Sequence, residues 1–156
     1  MITPLPSLQP LWLVQLRPTR SAWIFDSGAS AHMCNDPGQS ETLQPHSGHV
    51  RGFNGSRSPI TRIGTIRLGC RIRGRNAIEP ALLHRVLMVP SLECNSFSWR
   101  KAAKLGFKKE GQGEDVWVTK KSRKEVLWAR ESQGCYVIQP SEETARFSSY
   151  EIWHQH

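Results

Sequence analysis

Ile66, Leu68, Cys70 and Ile72 occupy every second position of one segment, with Arg67, Gly69, Arg71 and Arg73 between them. Only an extended strand gathers such a set on one face, because successive side chains of a strand point to opposite sides. The run begins at Ile60 and is interrupted by Gly64, where a bend or bulge is expected. Val86-Leu87-Met88-Val89 is apolar throughout, which suits a strand buried on both faces, and Pro90 ends it. Val116-Trp117-Val118 and Val126-Leu127-Trp128 flank a basic turn as a hairpin, and Gly134-Cys135-Tyr136-Val137-Ile138 supplies one more strand. A single short helix is expected near residues 96–105, capped by Ser96 or Ser98 and stopped by Gly106, with Trp99, Ala102 and Ala103 on one face. Many short strands and one helix predict an all-β chain folded as a small closed barrel.

At 156 residues the chain holds one domain. Its boundaries are read as a Pro-rich, poorly ordered leader over residues 1–20, the barrel over 21–139 and a polar tail over 140–156. The Leu11-Trp12-Leu13-Val14 run is too short to span a bilayer and lacks a basic flank, so no membrane partner or signal peptide is expected. Cysteines at 34, 70, 94 and 135 form no Cys-x-x-Cys pair, which argues against a zinc site and fits reduced thiols in a cytoplasmic or nuclear protein. No metal and no cofactor is expected. The net charge is +8, densest at Arg71-Arg73-Arg75 and Lys120-Lys121-Arg123-Lys124. No aromatic ladder accompanies it, so these read as a solvated strand face and a hairpin tip, with weak nucleic-acid association as the most the charge implies.

The chemistry-bearing segment is Trp23-Ile24-Phe25-Asp26-Ser27-Gly28-Ala29-Ser30. An apolar strand delivers a carboxylate onto a tight turn, Gly28 permits close backbone approach, and Ser27 places a hydroxyl beside it. Such a turn suits a carboxylate held beside a second one, where like charges about 3 Å apart share a single proton. The chain contains one such turn, so the second carboxylate would come from a second copy. The ordinary alternative is a capping or surface turn. Between Val50 and Ile60, Asn54-Gly55 signals a hairpin whose tip, Phe53-Asn54-Gly55-Ser56, has the small residues of a closing flap or of a plain surface turn.

With these residues assembled, the chain resembles the aspartic protease region of copia-type LTR retrotransposon Gag-Pol polyproteins, running into the start of the pre-integrase region. Trp23-Ile24-Phe25-Asp26-Ser27-Gly28-Ala29-Ser30-Ala31-His32-Met33 is similar to the family's catalytic segment. Ile63-Gly64-Thr65-Ile66-Arg67-Leu68, Val86-Leu87-Met88-Val89-Pro90, Leu105-Gly106-Phe107, Gly134-Cys135-Tyr136-Val137 and Trp153-His154 follow in the family's order. The resemblance implies a retropepsin-like barrel that is half of a homodimeric acid protease. It implies Asp26 as catalytic residue, Ser27, Gly28 and Ala29 as active-site loop, and Phe53, Asn54, Gly55 and Ser56 as flap. The implied partners are a second copy of the chain and a polypeptide substrate such as a Gag-Pol polyprotein.

Two departures qualify what the resemblance implies. Ser96-Phe97 stand where the family carries leucines, and a buried hydroxyl costs stability without a partner. His154 matches the first histidine of a zinc site whose remaining ligands would lie beyond His156. The chain therefore reads as an excised or degenerate piece of a larger polyprotein. Its two functional readings are an aspartic endopeptidase and a catalytically inactive relic that binds protein or peptide.

Overall fold

The structure, a computed structural model, describes residues 19–52, 55–73 and 75–140. The leader and tail expected at residues 1–20 and 140–156 fall almost wholly outside that range. Among the described residues ten strands occur: β1 (Trp23–Asp26), β2 (Met33–Cys34), β3 (Ser40–Arg51), β4 (Arg57–Ile72), β5 (Arg75–Met88), β6 (Asn95–Ser98), β7 (Lys108–Gln112), β8 (Asp115–Thr119), β9 (Glu125–Ser132) and β10 (Cys135–Ile138). One helix, α1 (Trp99–Lys104), follows β6, and a 3-10 turn at Pro37–Gln39 is capped by the Asp36 side chain. The all-β expectation with one short helix holds.

The strands form a single sheet in the order β3-β4-β5-β2-β6-β1-β10-β9-β8-β7. Neighbours are antiparallel except β1 with β6 and β2 with β5. The closed barrel expected from the sequence is corrected, because this ladder is open, with β3 and β7 as edges. The sheet curls back only far enough for an isolated bridge between Cys70 and Pro140, beside an Arg71 amide that donates to the Gln139 carbonyl at 3.0 Å. The two flanks of the sheet meet at β2, which pairs Met33 with Leu87, Cys34 with Met88 and Met33 with Ser96. β2 is only two residues long, so it joins the two flanks over a short stretch.

Alternation in β4 works as the sequence requires. Ile66, Leu68 and Cys70 are buried and join Leu83, Val86 and Met88 of β5 in one core with Trp23, Phe25, Phe97, Val118 and Leu127 from the other flank. Gly64 marks the expected irregularity: the β4–β5 register shifts between Gly64 and Ile66. A Cβ there would collide with the Thr42 carbonyl oxygen of β3, so the close crossing of the two strands demands glycine. The β9–β10 connection is a two-residue turn in which Gln133 and Gly134 both take positive φ, 51° and 83°, as hairpin twist requires. Arg71 and Arg73 are not the solvated face expected of them: both are partly buried. Arg73 bonds the Glu125 carboxylate through Nη2 at 2.8 Å and lies over the Trp117 ring at 3.2 Å. The Lys120–Lys124 cluster does form the β8–β9 tip, closed by the Lys120 amide on the Lys124 carbonyl at 2.9 Å.

Candidate functional site

β1 sits between β6 and β10, and its register with β6 matches Asp26 to Ser98 and Phe25 to Phe97. Trp23 and Phe25 point into the core, and the Phe25 ring stacks on Phe97 and Trp99 at 5.6 and 5.8 Å. Pleating therefore turns Ile24 and Asp26 to the opposite face. Asp26 ends the strand half-exposed. Its Oδ1 accepts the amides of Gly28 at 2.8 Å and Ala29 at 3.2 Å, an Asx-type turn that fixes the carboxylate. Its Oδ2 accepts a long 3.4 Å bond from the Ser96 hydroxyl. None of the ion pairs among the described residues involves Asp26. Ser96, the departure from the family pattern, is 8% exposed and finds its partner in Asp26 itself.

The turn is braced from behind by three groups. Ser98 is fully buried; its Oγ donates to the Ala29 carbonyl at 2.6 Å and accepts the Lys101 amide at 3.2 Å, so one hydroxyl caps α1 and anchors the turn. His32 accepts the Ser98 amide at Nδ1 over 2.9 Å and packs on Phe97 at 5.0 Å. Burial and, less, the Lys101 charge lower its pKa to about 4, so it is neutral with the proton on Nε2. Asn95, also fully buried, accepts the Asn35 amide at 2.9 Å and donates to the Ser21 carbonyl at 3.2 Å. The Asn35 side chain donates onward to Arg20 and Leu92 carbonyls at 2.9 and 3.0 Å. This knot ties the entry of β1 to β2 and β6.

The structure thus gathers Asp26, Ser27, Gly28 and Ala29 in one turn, with Ser27 exposed and Ala29 buried. Gly55 and Ser56 lie at the tip of the β3–β4 hairpin, which the Gly52 amide closes on the Ser56 carbonyl at 2.8 Å; Gly55 takes φ 77° there. Phe53 and Asn54 of the same tip are outside the described residues. Of the bracing groups, the expected helix cap pointed to Ser98, whereas no sequence signal marked Asn35, Asn95 or the role of His32. Burial raises the Cys34 and Cys70 thiols to about 11 and about 12, so both are inert, and all four cysteines are unpaired. Among the described residues no cluster of three His, Cys, Asp or Glu side chains could hold a metal, and no helix is long and apolar enough to cross a membrane.

The Pol polyprotein β-barrel domain family matches residues 23–107, from β1 to just past α1, and the chain belongs to it. The chain is 36% identical over 94 residues to a transposon Ty5-1 protein of Saccharomyces cerevisiae, covering 56% of this chain and 57% of that one. It is 33% identical over 78 residues to the retrovirus-related Pol polyprotein from transposon RE1 of Arabidopsis thaliana, covering 49% of this chain and 5% of that polyprotein. The chain spans little more than half the length of the first relative and a small part of the second. The resemblance to a copia-type retrotransposon Pol polyprotein region stands.

Proposed function

We propose that this domain is half of an aspartic endopeptidase that acts on a polyprotein chain as a homodimer. The observation that carries the reading is Asp26, half-exposed at the end of β1, anchored through Oδ1 by two backbone amides and held at Oδ2 only by a long bond from the Ser96 hydroxyl, with no ion pair among the described residues. A carboxylate fixed in this way suits one half of a two-carboxylate site. Gly28 supports the same reading. Within one chain a Cβ at Gly28 would meet only Asp26 Oδ1, at an ordinary 3.4 Å, so nothing internal requires glycine there. In the proposed dimer a second turn approaches Gly28 across a two-fold axis, where the missing Cβ leaves room for it, and the Ser27 hydroxyls bridge the two.

In that dimer one Asp26 takes a proton from the bridging water as it attacks the peptide carbonyl, and the other, protonated, donates to the carbonyl oxygen. The Gly55–Ser56 hairpin tip closes over the substrate. Excess Asp26→Asn chains mixed with wild-type should suppress cleavage, because heterodimers carry one ionisable carboxylate. Specific activity should fall on dilution through the dimer dissociation constant. Cleavage by the Asp26→Asn chain alone, or a rate strictly proportional to concentration with a monomer in sedimentation, would sink this reading. A folded chain that neither dimerises nor cleaves would leave the inactive relic.

A further inference from the structure

Beyond the two-residue β2, no strand among the described residues pairs with the far side of β5. Its residues Pro80 to Leu83 pair with Gly69 to Ile66 of β4 on one side, but β2 pairs only with Leu87 and Met88 on the other. Beside this bare edge lies a groove of about 580 Å³ between β5, α1, β8 and β9. Its floor is the core itself: Leu83, Phe97, Val118 and Leu127, each at most 5% exposed by residue. Among the described residues, the two large apolar side chains most open to solvent, Leu82 at 49% and Leu105 at 73%, stand at its lips.

The rim is cationic throughout. Arg85, Lys101, Lys104 and Lys120 line the groove, and no acidic side chain among those described does. No ion pair among the described residues satisfies any of these four. Lys101 is half-buried and its Nζ reaches only the carbonyls of His84 at 3.1 Å and Arg85 at 3.4 Å, at one end of the bare edge. Burial and the Arg85 charge lower its pKa, the mark of a cation lacking its anion. The Asp26 turn takes no part in this groove.

We infer that the groove is a docking site for an extended, acidic segment of a partner protein, apolar at alternate positions, which adds as a strand beside Ala81–Leu83 of β5. Three features converge on that chemistry. The bare edge offers backbone donors and acceptors, the groove takes every second side chain, and the lysine rim meets carboxylates on the intervening ones. Charge complementarity selects an acidic segment over a basic or neutral one. The site is separate from Asp26 and stands whether or not the domain cleaves peptides.

A fluorescein-labelled peptide of about eight residues, alternating leucine or valine with glutamate, is the probe, followed by anisotropy on the full chain. Saturable binding is expected, weakening as salt rises and unchanged by Asp26→Asn. Lys104→Glu with Lys120→Glu, both exposed positions, should weaken it roughly tenfold while the thermal melt stays in place. The same peptide N-methylated at alternate amides should lose binding, because it cannot pair with β5. Equal affinity of the charge-reversed chain or of the N-methylated peptide would overturn the inference. So would dodecanoate binding in the groove while the peptide shows no saturable binding, which would make it a site for small amphiphiles.

Discussion

Acid should destabilise this domain through one side chain, His32. Its ring is 5% exposed, accepts the Ser98 amide at 2.9 Å, and has its pKa lowered from 6.5 to about 4, first by burial and then by the Lys101 charge. Unfolding returns the imidazole to water and to 6.5, so between those two values the unfolded chain binds the extra proton. Stability therefore rises with pH across the window. The contribution of the neutral ring is complete above 6.5 and is lost as pH falls toward about 4. At about 1.4 kcal/mol per unit, the gap corresponds to about 3 kcal/mol. That is a large share of the roughly 5–15 kcal/mol that holds a domain together. His32→Asn is the control, since its carboxamide oxygen can accept the Ser98 amide and does not titrate. Urea unfolding of both chains in steps from about pH 7 to about pH 4 isolates the effect as wild-type minus variant. That difference should fall by about 3 kcal/mol. A difference that stays level across the window would refute the assignment of His32 as a buried neutral strut.

Gly28→Ala should leave the single chain as stable or raise it by roughly 0.4–1 kcal/mol in urea unfolding, yet abolish dimerisation by sedimentation if a second turn packs there. Ser98→Ala removes a helix cap and the Ala29 anchor together and should cost about 2 kcal/mol, with loss of amide protection at Lys101 by hydrogen exchange. Gly64→Ala should cost more than about 2 kcal/mol in the same unfolding assay, because the Thr42 carbonyl leaves no room for a methyl.

Local pattern carried much of the fold. The alternation around Ile66, the continuous apolar run at Val86, and the Ser98 cap ahead of Trp99 each name their element from neighbours in sequence. β3, by contrast, runs through Ser-Glu-Thr-Leu-Gln-Pro-His-Ser-Gly-His, residues without alternation, and exists because β4 offers it a partner. β7, Lys-Lys-Glu-Gly-Gln, is exposed throughout and is held only by its ladder to β8. Pairing over distance, not propensity, makes such strands. The carboxylate turn was legible because backbone geometry and chemistry coincide in the adjacent residues Asp26 to Ala29. Its supports were not: Asn35 and Asn95 meet across sixty positions, and only the folded chain shows that the Asn95 side chain accepts the Asn35 backbone amide. Openness of the sheet was likewise invisible, since it depends on β3 and β7 staying unpaired with each other at its two ends.

That short β2 has a thermal consequence. The two flanks of the sheet share few backbone hydrogen bonds there, and what welds them is the apolar contact of Ile66, Leu83 and Val86 with Phe25, Phe97 and Leu127. Hydrophobic attraction weakens on cooling, whereas the ladders within each flank do not depend on it in the same degree. The seam between flanks is thus the part of the molecule that cold attacks first. Hydrogen exchange near freezing should show Leu87 and Val89, whose amides are held by the His32 and Cys34 carbonyls at 2.9 and 2.8 Å, losing protection ahead of the β4–β5 ladder.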